Sequence, residues 1–331
     1  MSGRRIAELT LDVADRIEVL VLVDNVTDNL SSVPRFVENE VPRLARRGLR
    51  LWSGQCMCCA AHGFSCVVTA WRGDLCRTVL FDAGPDAWVF ERNVGRLGCD
   101  LAGIHGIVLS HGHWDHAGGL LRALEMIQLA NGGKPLPTCL HPGMYRRRAI
   151  KSAHHDMLPF ADVPTAAELA RQGAEVLEAT GPQLVLDDLF LVSGEIPRVT
   201  GFETGLPGHY RRTEDDSDWE PDFLIMDERF LAVRVPAGLV VLTACSHAGV
   251  INVLTHARTL LPKERIHAVI GGFHLAGGNE RIIPETVDAL GAFGLEVIAP
   301  AHCTGWRALG ALTAAFGDAV VPSAVGRCYR F

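Results

Sequence analysis

Short apolar runs separated by glycine, proline and polar turns recur along the 331 residues. The first, Ile17-Glu18-Val19-Leu20-Val21-Leu22-Val23, reads as a strand closing on Asp24 and Asn25. Runs at 62–70 and 78–84 flank Arg72-Gly73-Asp74 and predict a hairpin. A second hairpin is expected from 222–227 and 230–235 around Asp227-Glu228-Arg229. Runs at 106–110, 137–140, 189–196, 239–243, 266–272 and 296–300 have the length of buried strands. Helical periodicity follows at 86–96 behind Pro85, from Leu120 onward, and at 249–261, where Ile251, Leu254 and Leu261 share a face. Pro164-Thr165-Ala166-Ala167-Glu168 is a capping box that predicts a helix to about Thr180. The order strand, loop, helix thus repeats. It implies two pseudo-equivalent halves, each packing strands under helices.

Composition narrows the class. The chain is 48% hydrophobic and 21% charged, as expected of a globular protein with a large core. A formal charge of −7 argues against general nucleic-acid binding. The basic clusters Arg146-Arg147-Arg148 and Arg211-Arg212 are short and read as solvated faces. Ten cysteines at irregular spacing do not make a disulfide scaffold, and Cys56-Met57-Cys58-Cys59 lacks the usual zinc spacing. Neither a signal peptide nor a long apolar span is evident, so a cytoplasmic location without membrane association is expected. We read 1–331 as a single domain, with 26–54 and 197–221 as candidate lid or insert segments.

Chemistry concentrates in Ser110-His111-Gly112-His113-Trp114-Asp115-His116-Ala117-Gly118-Gly119. Four metal-capable side chains fall within six positions, between a strand and a helix. His111 and His113 can converge on one metal while the adjacent Asp115 and His116 point toward a second. Imidazole and carboxylate donors suit zinc, and also iron or manganese. Two such ions about 3.5–4 Å apart can share and activate one hydroxide. The glycines argue against a helix at the motif itself. Further ligands must come from elsewhere, and His141, Cys245, His247, His274 and His302 each follow an apolar run. His154 and His155 are adjacent, so they point apart and line a pocket at most. Asp24 and Asn25 close a strand, where an Asx-turn is the simplest reading and Asn25 is also a candidate substrate contact. Arg198, in the long segment with Glu203, His209, Tyr210, Arg211 and Arg212, is a candidate grip for an anionic group.

The pattern His111-x-His113-x-Asp115-His116 resembles the signature of the metallo-β-lactamase superfamily. Thr243-Ala244-Cys245-Ser246-His247-Ala248-Gly249, Gly271-Gly272-Phe273-His274-Leu275 and Pro300-Ala301-His302-Cys303-Thr304-Gly305 resemble one branch of it. That branch comprises dihydropterin/ribofuranosylaminobenzene-phosphate synthase-like metal-dependent hydrolases. Leu22-Val23-Asp24-Asn25, His62-Gly63-Phe64-Ser65 and Gly194-Glu195-Ile196-Pro197-Arg198 also fit. The resemblance implies an α/β fold of the αββα type, two mixed sheets packed face to face with helices outside. It implies a first metal on His111, His113 and His247, and a second on Asp115, His116 and His302. Asp82 is then expected to orient the loop rather than ligate, and His141 is a further ligand candidate. The family pattern has a bridging Asp where this chain has Cys245, which leaves the bridge and the metal count open. Most directly, the resemblance implies hydrolysis of an ester, lactone or phosphoester small molecule by a hydroxide on zinc, with Asp115 orienting it and His274 as proton donor. A dihydropterin transfer to a ribofuranosylaminobenzene phosphate is the second reading. A non-catalytic metal-dependent sensor is the third. Oligomeric state is not legible.

Overall fold

The computed structural model describes residues 9–152 and 155–331. Among these, one sheet runs in the order Val37–Glu38, Cys328–Arg330, Arg16–Val23, Ser65–Arg72, Leu75–Phe81, Gly106–Val108, Leu136–Leu140, Ala174–Glu178. A second runs Gln183–Val185, Phe190–Val192, Leu231–Val235, Gly238–Thr243, Ile266–Gly272, Val297–Ala301. Both are mixed. Each begins with antiparallel hairpin pairing and continues in parallel, from Leu75–Phe81 in one and from Gly238–Thr243 in the other.

Alternation along the strands sorts their side chains onto two faces. Val19, Val21, Val68, Val79 and Phe81 meet Leu231, Val233, Val240, Leu242 and Ile270 between the sheets. The opposite faces are equally apolar. Leu20, Leu22, Leu80 and Ile107 pack under the helices Ala87–Leu97 and Leu120–Asn131. Val241, Val269 and Ile298 pack under Val250–Leu260, Ile283–Gly291 and Trp306–Phe316. Each fully buried aliphatic side chain contributes about 1.5–3 kcal/mol, so the expected αββα layering is held by apolar burial on both sides of both sheets. The parallel strands of the second sheet end together, at the edge that carries Cys245, His274 and His302.

Several local expectations fail for tertiary reasons. The helix from Thr165 stops at Arg171, because Gly173 turns left-handed (φ 90) and 174–178 pairs with Leu136–Leu140 as an edge strand. The expected hairpin at 222–235 is displaced: Leu231–Val235 pairs instead with Gly238–Thr243. The charged Asp227, Glu228 and Arg229 are buried rather than at a turn tip. Residues 197–221 are not wholly irregular. Their strands His209–Arg212 and Trp219–Pro221 join Arg148–Ser152 and His155–Pro159 in a small third sheet. Of the two histidines read as pocket-lining, His154 lies outside the described residues and His155 opens the last of these strands. The segment 26–54 borders the first sheet. Its strand Val37–Glu38 pairs with Cys328–Arg330, and Arg43 of the helix Glu40–Arg46 donates to the Leu97 carbonyl at 2.9 Å. No helix among the described residues is long and apolar enough to cross a membrane.

Candidate metal centre

His111 to His116 follow the strand Gly106–Val108 directly, and residues Trp114–Ala117 form a single helical turn where a plain loop was expected. His113 is its N-cap, and the His116 and Ala117 amides bond back to the His113 carbonyl at 3.2 and 3.0 Å. The loop is clamped at Gly112. Its amide donates to Asp227 Oδ2 at 2.8 Å and its carbonyl accepts from Arg148 Nη1 at 2.8 Å. A Cβ on Gly112 would lie 2.3 Å from the Met144 carbonyl, so only glycine fits between the two histidines. Arg148 is itself held by Asp227 at 2.5 Å and Asp222 at 3.0 Å. Arg229, fully buried, donates to the Leu109, Cys139 and Leu140 carbonyls at 2.7, 2.9 and 3.2 Å and pins the strand ends beside the loop.

Three imidazole nitrogens converge. His111 Nε2 lies 3.1 Å from His113 Nδ1 and 3.0 Å from His247 Nε2. Nitrogens sharing a tetrahedral ion at about 2.0–2.1 Å would stand about 3.3 Å apart, close to this spacing. Burial, reinforced by neighbouring cations, holds all three histidines well below their ordinary pKa and leaves their lone pairs free. The His111 tautomer is fixed from behind. Ser110 Oγ donates to Asp82 Oδ2 at 2.7 Å, so its oxygen accepts from His111 Nδ1 at 2.9 Å. His247 is placed by Glu228, whose carboxylate accepts from the His247 and Ala248 amides, both at 2.6 Å.

A second group adjoins the first. His116 Nδ1 donates to Asp82 Oδ2 at 2.7 Å, and His302 Nδ1 donates to Asn25 Oδ1 at 2.9 Å. Both Nε2 atoms are buried and without a protein hydrogen bond. They face Asp115 Oδ2 at 3.8 and 3.4 Å. His62 Nε2 also stands 3.4 Å from that oxygen. Burial alone would lower His116, but Asp115 and Asp82 outweigh it and push it up to about 9. Burial would raise Asp115, but His116 and His302 hold it well below the usual carboxylate range.

Asp82, Ser246, His274 and His302 all adopt left-handed backbone, with φ of 59, 55, 43 and 46. Such strain persists only where surrounding contacts over-determine it. Cys245 Sγ lies 3.0 Å from Cys303 Sγ and 3.3 Å from His274 Nδ1. The small sheet closes one side. The His209 ring stacks on His113 with centroids 5.7 Å apart, and Phe160 meets the same ring edge-on at 5.4 Å.

The structure thus brings together His111, His113, Asp115, His116, His247, His274, His302 and Cys245. Asp82 and Asn25 touch these residues from behind. Asn25, read as a substrate contact, is instead occupied by His302, the Gly63 amide at 3.2 Å and His62 at 3.2 Å. His141 is not in the gathering. It bonds Glu195 at 3.2 Å and its Nδ1 accepts from the Gly143 amide at 3.0 Å, capping the turn Pro142–Tyr145. Arg198 donates to the Ile196, Leu224 and Ile225 carbonyls, which makes it a strut rather than a free anion grip. His62, Cys303, His209, Arg148, Glu228 and Arg229 were not anticipated as parts of this site. The motifs holding His62 and Cys303 were signals for those two, and the charged run 227–229 between apolar runs was one for Glu228 and Arg229, though a hairpin tip explains such a run equally well.

A family model for the β-lactamase superfamily domain matches residues 77–173. The chain is 25% identical over 250 residues to 7,8-dihydropterin-6-methyl-4-(β-D-ribofuranosyl)-aminobenzene-5'-phosphate synthase of Methanocaldococcus jannaschii, covering 75% of this chain and 82% of that protein. It is 29% identical over 250 residues to an uncharacterised protein of the same organism, covering 76% and 86%. It superposes with a TM-score of 0.69 and 24% identity on the crystal structure of a metal-dependent hydrolase of the β-lactamase superfamily, covering 95% of this chain and 98% of that one.

Proposed function

We propose that this chain, which has the metallo-β-lactamase superfamily fold, is a metal-dependent hydrolase of a small-molecule ester, lactone or phosphoester. One observation carries the reading. Five buried histidines turn ring nitrogens toward two adjoining positions, and hydrogen bonds at the other nitrogen orient three of the rings. Buried polar atoms without partners are costly, so such a set fits divalent ions. On this reading His111, His113 and His247 hold one ion, and Asp115, His116 and His302 hold the other. The donors suit zinc, and also iron or manganese. When bound, such ions supply a nucleophile from water at neutral pH and polarise the substrate oxygen.

The chain's own residues do the rest. Asp115 accepts a hydrogen bond from the attacking water and orients it. His274, half-buried at the rim, donates a proton to the leaving group. Asp82 and Asn25 keep protons on the Nδ1 atoms of His116 and His302, away from the centre. His209 and Phe160 wall one side. All ten cysteines are free thiols, which supports a reducing cytoplasmic setting.

The test is metal content per chain by elemental analysis, on the wild type and on His247→Ala and His302→Ala, followed by a panel of esters, lactones and phosphoesters. Two ions, each lost selectively by one substitution, together with chelator-sensitive turnover of one substrate class, are expected. A metal-replete protein inert across the panel would overturn the hydrolase reading.

A second reading rests on the synthase relative. In it the same centre would hold a diphosphate during transfer of a dihydropterin group to a ribofuranosylaminobenzene phosphate. Pyrophosphate release that requires both substrates would establish it over hydrolysis.

A further inference from the structure

We propose that the Cys245 thiolate bridges the two metal positions, in the place where a carboxylate bridge would otherwise stand. The inference rests on the two-ion reading given above.

The argument is geometric. Cys245 Sγ belongs to three separate groups of mutually close donor atoms, each within 4.8 Å: one with His111 and His116, one with His247 and His274, one with His302 and Cys303. His111 and His247 belong to the first proposed ion, His116 and His302 to the second. No other side chain among the described residues falls in groups with donors from both sets as often. Asp115 reaches His302 and His62 and has no such contact with His247.

Local structure holds the sulfur there. Cys245 is 2% exposed at the end of the buried strand Gly238–Thr243. The left-handed turn at Ser246 is pinned by its Oγ, which donates to the Gly272 carbonyl and accepts from Thr243 Oγ1, both at 2.8 Å. That turn presents Cys245 and His247 to one centre. Gly272 leaves the room: a Cβ there would lie 2.6 Å from Cys303 Sγ and 3.3 Å from Cys245 Cα. His274 Nδ1, at 3.3 Å, is placed to donate to the bridging sulfur. On metal binding the thiol proton leaves to solvent and sulfur becomes the shared donor. A thiolate would bias the centre toward thiophilic ions such as zinc or ferrous iron and away from magnesium or calcium.

Cobalt(II) substitution under reducing conditions tests this. We would load the full chain and its Cys245→Ser, Cys245→Asp and Cys303→Ser variants, measure cobalt per chain, and record the near-ultraviolet sulfur-to-cobalt charge-transfer band, with far-ultraviolet circular dichroism as a fold control. The expected result is two cobalt ions and a strong band in the wild type and in Cys303→Ser. Cys245→Ser should lose the band and at least one ion. Cys245→Asp should lose the band and keep both ions. Two ions without a band in the wild type would overturn the bridge and leave the two-ion centre standing. A band lost in Cys303→Ser and kept in Cys245→Ser would overturn it in favour of Cys303. Failure of the wild type to take up stoichiometric metal would overturn both the bridge and the centre beneath it.

Discussion

Asp82→Asn isolates the contribution of the groups behind the histidines. Asp82 accepts three hydrogen bonds at 2.7 Å, from the Ser110 amide, Ser110 Oγ and His116 Nδ1. Asparagine has the same shape and tolerates the left-handed backbone at φ 59, so the chain path should survive. Oδ1 still accepts from the Ser110 amide. The new NH2, however, faces two donors, Ser110 O–H and His116 Nδ1–H. His116 can restore its bond only by moving its proton to Nε2, the nitrogen facing Asp115. Loss of such an orienting group typically weakens metal binding 10–100-fold, or about 1.4–2.7 kcal/mol. Titration against a chromophoric chelator should show that loss at the ion held by His116, and a smaller one at the other. Ser110→Ala removes the hydroxyl between Asp82 and His111, leaves the Asp82–His116 bond in place, and should reverse the order. Thermal melting of the metal-free protein checks that both variants fold. A folded Asp82→Asn protein that binds both ions with unchanged affinity would refute the reasoning.

Other outcomes follow from the same geometry. His116 is raised to about 9 without metal, so the stability it contributes is complete below its ordinary value near 6.5 and is lost as pH rises through 9. Metal must displace that proton, so affinity at that ion should rise about tenfold per pH unit between pH 7 and 8, with proton release seen by calorimetry in buffers of different ionisation enthalpy. Arg229→Met strands three buried carbonyls, each worth about 1–3 kcal/mol, and should lower stability by several kcal/mol in urea titration. Gly63→Ala places a Cβ 2.4 Å from the Asp115 carbonyl and should weaken metal binding more than it lowers melting temperature. Arg198→Met should lower melting temperature without a selective loss of anion binding, since its guanidinium already serves three carbonyls.

The layered fold was legible because it follows from alternation, and alternation is local. Strands such as Ile266–Gly272 and helices such as Val250–Leu260 stand where apolar periodicity puts them. The loop with His111, His113, Asp115 and His116 was legible because its donors are neighbours in sequence. The strand at 174–178 was not, because Ala-Glu-Val-Leu-Glu satisfies a helix equally well and only pairing with Leu136–Leu140 settles it.

What the sequence determined by itself was therefore most of the elements and one cluster of metal-capable donors, through residue types and short spacings. The tertiary structure alone decided which distant groups serve that chemistry. It buried Glu228 behind His247, turned Asn25 onto His302, moved His141 away to Glu195 and set Cys245 beside His111, His116, His247, His274 and His302. Those pairings join residues as far apart as 25 and 302, and no local pattern carries them. They exist because parallel strands of two sheets end at one edge and bring their loops together.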